Sequence, residues 1–126
     1  MTPPAVVLAE IKQLDQWNSL LKESDSHPVV IFKHSPNCPV SFYAKAQFTT
    51  FLKAAPETHR YVLVDVIHSR AISNEIAGKM GVRHESPQAL LIYKQKCLWN
   101  QSHSDVNVSS LTRAVSDFNQ SAPSME

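Results

Sequence analysis

Cysteine is scarce in this chain: Cys38 and Cys97 are the whole complement. A secreted scaffold stapled by disulfides packs more cysteines into a shorter chain, so that class is excluded. Charge of one sign is also lacking. Twelve Lys and Arg against eleven Asp and Glu leave a net +1, which provides no overall basic field for nucleic acid or a membrane surface. No apolar run approaches the roughly 18 residues of a membrane-spanning helix. Met1–Ala5 carries no basic stretch ahead of an apolar one, so no secretory signal is read there, and a cytoplasmic protein is expected. There is no internal repeat and no low-complexity tract. The six histidines show no zinc-ligand spacing, and no metal is expected. What is present is a globular composition, 43% hydrophobic and 18% charged. Its 126 residues suit one domain, with tails at 1–5 and 119–126.

The apolar pattern alternates between two periods. Val6–Ile11 reads as a short edge strand. Leu14, Trp17, Leu20 and Leu21 recur at helical spacing over residues 14–24. Val29–Phe32 is a continuous apolar run, as in a strand covered on both faces. A second helix follows, with Val40, Ala44, Phe48, Phe51 and Leu52 on its buried face and Pro56 beyond its end. Tyr61–Val66 is a third strand. Residues 69–80 form a helix carrying Ile72, Ile76, Ala77 and Met80, with Gly81 just past its end. Ala89–Tyr93 and Cys97–Trp99 are two more strands, joined by a hairpin. Leu111, Ala114, Val115 and Phe118 mark a last helix, with Asn107 as its cap. The order β-α-β-α-β-α-β-β-α calls for an α/β protein with a central mixed sheet of four or five strands and helices on both faces. Few small folds have that order, and the thioredoxin-like fold is foremost among them.

Within this frame Cys38 falls where a buried strand passes into the second helix. Pro39 suits the first helical position, where a missing N–H is harmless. The Cys38 sulfur therefore lies at a helix N-terminus, where unpaired N–H groups and the helix dipole favour an anion. A thiolate is such an anion, and it is the nucleophilic form. Lys33 and His34 would add positive charge if aimed at the sulfur. In Cys38-Pro39-Val40-Ser41, Ser41 stands where a second cysteine would complete Cys-x-x-Cys. Its hydroxyl can donate to a Cys38 thiolate but cannot resolve a disulfide, so the chemistry expected is monothiol exchange. Cys-x-x-Ser alone does not choose between a reactive thiol and a packed, inert one. Pro87, between a helix end and an apolar strand, fits either a cis bond facing the cysteine or an ordinary trans proline opening a strand.

Taken together, Lys33-His34-Ser35, Cys38-Pro39-Val40-Ser41, Arg70–Ala77 and His84-Glu85-Ser86-Pro87-Gln88 resemble the monothiol bacilliredoxin C family, in matching order from about Val29 to Phe118. The resemblance implies a thioredoxin-like fold that removes bacillithiol, a low-molecular-weight thiol, from S-bacillithiolated proteins. Cys38 would be the nucleophile and Ser41 its hydrogen-bond donor. Lys33, Asn37, Pro39, His84, Ser86 and Pro87 would line the bound disulfide. Bacillithiol would act as co-substrate, with no bound cofactor. The chain departs from glutathione-dependent glutaredoxins, which carry Thr-Val-Pro where it has Glu85-Ser86-Pro87. Those proteins also carry a glycine pair and an acidic residue near the last helix, where this chain has Gln101–Asn107. Nor does Cys38-Pro39-Val40-Ser41 match the Cys-Gly-Phe-Ser of cluster-carrying monothiol glutaredoxins.

The missing second cysteine also fits a non-catalytic binding module, or a redox sensor. Cys97, beside Leu98 and Trp99, reads as a packed thiol. A resolving role would need its Cα within about 7 Å of that of Cys38. His84 either tunes the Cys38 thiolate or holds its own loop by a hydrogen bond. Trp17 reads as core.

Overall fold

The computed structural model describes Val6 and residues 8–121. Five strands and four helices run in the order β1 (Leu8–Glu10), α1 (Leu14–Glu23), β2 (Val29–His34), α2 (Pro39–Leu52), β3 (Arg60–Asp65), α3 (Arg70–Met80), β4 (Gln88–Tyr93), β5 (Lys96–Ser102) and α4 (Val108–Ser121). A short 3₁₀ turn, His103–Asp105, precedes α4. The sheet order is β1-β3-β2-β4-β5. β1, β3 and β2 run parallel, β4 pairs antiparallel with β2, and β5 pairs antiparallel with β4. This is a thioredoxin-like α/β fold.

β2 is central, and all six of its residues are buried. Side chains of a strand alternate between faces, so Val30 and Phe32 enter the core with Ala44, Phe48 and Phe51 of α2 and Leu111 and Val115 of α4. Val29 and Ile31 enter the opposite core, with Trp17 and Leu20 of α1 and Ile72 and Ile76 of α3. Phe32 stacks on Phe48 with ring centroids 5.1 Å apart. Burying each such ring contributes about 2–3 kcal/mol. Trp17, 1% exposed, is core as expected. Gly81 ends α3 with a φ of 67°, and the Asn107 side chain caps α4 by accepting the Ser110 N–H at 2.9 Å.

Several boundaries differ from the sequence reading. β2 runs two residues past Phe32, through Lys33 and His34, because both polar side chains find buried partners. β5 reaches from Lys96 to Ser102, since an edge strand alternates exposed and half-buried residues and shows no apolar run. Val40 is 46% exposed and Leu14 47% exposed, so neither belongs to its helix's buried face. On α2 the inward position of the first turn is Ser41 instead. Asn119 and Gln120, placed in a tail by the sequence, continue α4, which meets no glycine or proline before Pro123. Val7 and the remaining tail residues, 1–5 and 122–126, lie outside the described residues.

Candidate active site

The end of β2 builds the site. The chain leaves the sheet at His34, turns through Ser35–Cys38 with Cys38 N donating to Ser35 O at 3.2 Å, and enters α2 at Pro39. Cys38 is the N-cap residue, with extended backbone angles, and its carbonyl accepts the first helical bond from Phe42 N at 3.0 Å. Its side chain makes no capping hydrogen bond. The thiol is partly exposed, and Asn37 and Pro39 on either side of it are exposed.

The second wall is the loop between α3 and β4. Gln88 pairs with Lys33, so the residue before it lies beside the end of β2. The Ser86–Pro87 bond is cis, Pro87 is buried and Ser86 half-buried. Thus Cys38 and the cis proline leave the sheet at the same end from adjacent strands. The 3₁₀ turn completes this end: His103 N donates to Pro87 O at 2.7 Å. His103 Nε2 lies 3.3 Å from Glu85, which also faces Arg83 at 4.0 Å. His103 was not foreseen, because only the fold brings the end of β5 beside this loop.

Ser41 does not serve as expected. It is fully buried, its oxygen accepts the Ser35 N–H at 2.9 Å and it lies 2.8 Å from His34 Nδ1. The hydroxyl expected at the Cys38 sulfur thus braces the turn that carries the cysteine. His34, stacked on Phe32, is held below the ordinary histidine pKa, first by burial and then by Lys45, against the opposing pull of Asp65.

Lys33 is likewise displaced from its expected place at the bound disulfide. It is 0% exposed, and Nζ donates to Ser73 O at 3.0 Å. Strand alternation points it away from His34 and towards α3. Burial lowers its pKa to about 8. His84 is half-buried on the cis-proline loop, with Nδ1 3.1 Å from Ser73 Oγ.

Cys97 stands elsewhere. It pairs with Ile92, which pairs with Val29 at the start of β2, whereas Cys38 follows the end of that strand. From Val29 to His34 the strand takes five residue steps, about 16 Å, well beyond disulfide reach. Cys97 Sγ donates to Trp99 O at 3.3 Å, and burial pushes its pKa up. Among the described residues no group of three His, Cys, Asp or Glu is placed to hold a metal ion, and no helix is long and apolar enough to cross a membrane.

The family model of the monothiol bacilliredoxin BrxC matches residues 9–111, a span that includes Cys38 and the cis-proline loop. The chain belongs to the monothiol bacilliredoxin family. It is also similar to a solved structure described as a candidate oxidoreductase with a thioredoxin fold. That match has 36% identity and a TM-score of 0.76, and covers 86% of this chain and 93% of the other. Thioredoxin from Trypanosoma brucei brucei shares the fold at 15% identity, with a TM-score of 0.74, covering 95% of this chain and 97% of that one. Mitochondrial thioredoxin 3 from Saccharomyces cerevisiae does so at 20% identity, with a TM-score of 0.69 and coverage of 87% and 94%. Membership in the bacilliredoxin family, with a candidate oxidoreductase of thioredoxin fold among the similar structures, places the protein in thiol redox chemistry.

Proposed function

We propose that the protein removes bacillithiol from S-bacillithiolated proteins by monothiol exchange at Cys38. The observation that carries this reading is the isolation of a partly exposed Cys38 at the start of α2, beside the cis proline, with Cys97 at the far end of the sheet. The Cys38 thiolate attacks the bacillithiol sulfur of the mixed disulfide. That S–S bond breaks, a new one forms between Cys38 and bacillithiol, and the substrate cysteine leaves as a thiolate that takes a proton from water. A second low-molecular-weight thiol then attacks the adduct, leaves as a disulfide with bacillithiol and returns Cys38 to its thiolate. No resolving cysteine in the chain takes part. The exposed Asn37 and Pro39 border the sulfur, and the Ser86 backbone ahead of Pro87 offers pairing to the extended segment that carries the disulfide.

The test is intact mass of both partners after mixing with a bacillithiolated and, separately, a glutathionylated test protein. Bacillithiol moving onto the protein, and glutathione not, is the expected result. Cys38→Ser abolishes the transfer, whereas Cys97→Ala changes its rate by less than about twofold, as expected of a distant and independent site. Transfer from neither test protein would sink the reading and leave a binding scaffold.

A further inference from the structure

Lys33 is a fully buried amine that the exchange chemistry leaves without a role. Its neighbours on the same face of β2, Val29 and Ile31, are apolar core residues, and an apolar side chain at position 33 would avoid the desolvation of a charge. Instead its ammonium, with three protons to donate, donates to the Ser73 carbonyl at 3.0 Å. On the neighbouring strand β4, paired with Lys33, Gln88 Oε1 is buried without a partner among the described residues. The same Ser73 presents its hydroxyl to His84 Nδ1 at 3.1 Å. One residue of α3 therefore joins the strand that leads to Cys38 to the loop that carries cis Pro87.

We propose that Lys33 is a positioning residue for the exchange reaction, acting through Ser73 to set the His84 ring and, with it, the cis-proline loop that faces Cys38. This rests on the thiol-exchange reading above. The charged groups that act on His84 are Lys33 from β2, Arg70 from α3 and Glu85 from its own loop. Burial lowers the His84 pKa most, Lys33 and Arg70 lower it further, and Glu85 opposes them. A neutral ring keeps one nitrogen as an acceptor, and that nitrogen can take the Ser73 proton, which fixes the orientation of the imidazole.

The experiment combines NMR titration of the His84 ring with the rate of release of a bacillithiolated test protein, in wild type, Lys33→Met, His84→Ala and the double variant. In Lys33→Met the His84 midpoint rises, because one of the two cations that depress it is gone. The rate of release falls about tenfold, in keeping with a small misplacement of the reacting groups, while the melting temperature holds or rises. The double variant is no slower than His84→Ala alone, as expected when one residue acts through the other. An unchanged His84 midpoint in Lys33→Met, or losses that multiply in the double variant, would overturn the proposal. Ser73→Ala keeps the carbonyl that holds Lys33 and removes the hydroxyl that meets His84. It serves if Lys33→Met folds poorly: the midpoint should rise because the neutral ring loses the hydroxyl that donates to it, with the Lys33 charge still in place, and an unchanged midpoint counts against the proposal. A wild-type protein that releases no bacillithiol would defeat the functional reading, while the His84 midpoints would still decide whether Lys33 acts on that ring.

Discussion

At the scale of single residues, the site depends on polar side chains turned inward. Ser41 is the clearest case, since its partners are His34 Nδ1, at the end of β2, and the Ser35 N–H, at the start of the turn that presents Cys38. Ser41→Ala leaves those groups without their buried partner, and a lost buried bond of this kind costs about 1–3 kcal/mol. Urea unfolding of the variant should show a loss in that range. A loss below about 0.5 kcal/mol would match a surface substitution and contradict the bracing role. The position of Ser41, one turn beyond the cysteine, was legible from Cys-Pro-Val-Ser. Its partner was not, because the sequence pattern ends the buried run at Phe32. Only the fold shows that Lys33 and His34 also lie within it, on opposite faces. Lys33 was misplaced for the same reason: a lysine beside a reactive cysteine reads as surface charge until its strand proves to be covered on both sides.

At the scale of elements, the order and type of nearly every segment could be read, since buried strands are short apolar runs and helices keep a 3.6-residue stripe. The edge strands were less legible. β5 alternates exposed and half-buried residues, so only Cys97–Trp99 in its first half is visible in the sequence. The two-residue hairpin loop between β4 and β5 is made of Lys94 and Gln95, with φ of 52° and 64°. Such loops favour glycine and asparagine, because other side chains crowd the backbone in the left-handed region. The loop is held nonetheless: Lys94 N donates to Ser24 O at 2.6 Å and Gln95 N to Ser24 Oγ at 3.0 Å. Gln95→Gly keeps that N–H and removes the crowding. Among the described residues the Gln95 side chain reaches only an exposed Asp25, at 3.4 Å, a contact of little worth. The variant should gain about 1 kcal/mol, read as a higher urea midpoint at unchanged slope. A lower midpoint would mean that the side chain, and not the backbone, secures the hairpin to α1.

At the scale of the whole molecule, the two ends of the sheet do different things. The end of β2 that carries Cys38 gathers the polar residues of the site, while the opposite end carries Cys97 and a second buried histidine. That separation follows from strand order and register, which no local pattern reveals. His59, 5% exposed, lies against the rings of Tyr61 and Phe118 at 6.2 and 5.6 Å. Its Nε2 is buried with no partner among the described residues. Burial, more than any neighbour, lowers its pKa to about 4. An unfolded chain takes up this proton near pH 6.5, the usual histidine value. Between those two values the unfolded state holds a proton that the native state refuses, so stability falls as pH drops through the interval. The loss approaches about 3 kcal/mol at the acid end. His59→Phe fills the same aromatic pocket and has nothing to protonate. Unfolding free energies at pH 7 and pH 4.5 should therefore diverge, with the variant gaining about 2 kcal/mol on the wild type over that range. Parallel losses in the two proteins would place the acid sensitivity elsewhere. In that case the first residue to examine is His34, the buried histidine at the Cys38 end, whose pKa is lowered in the same direction.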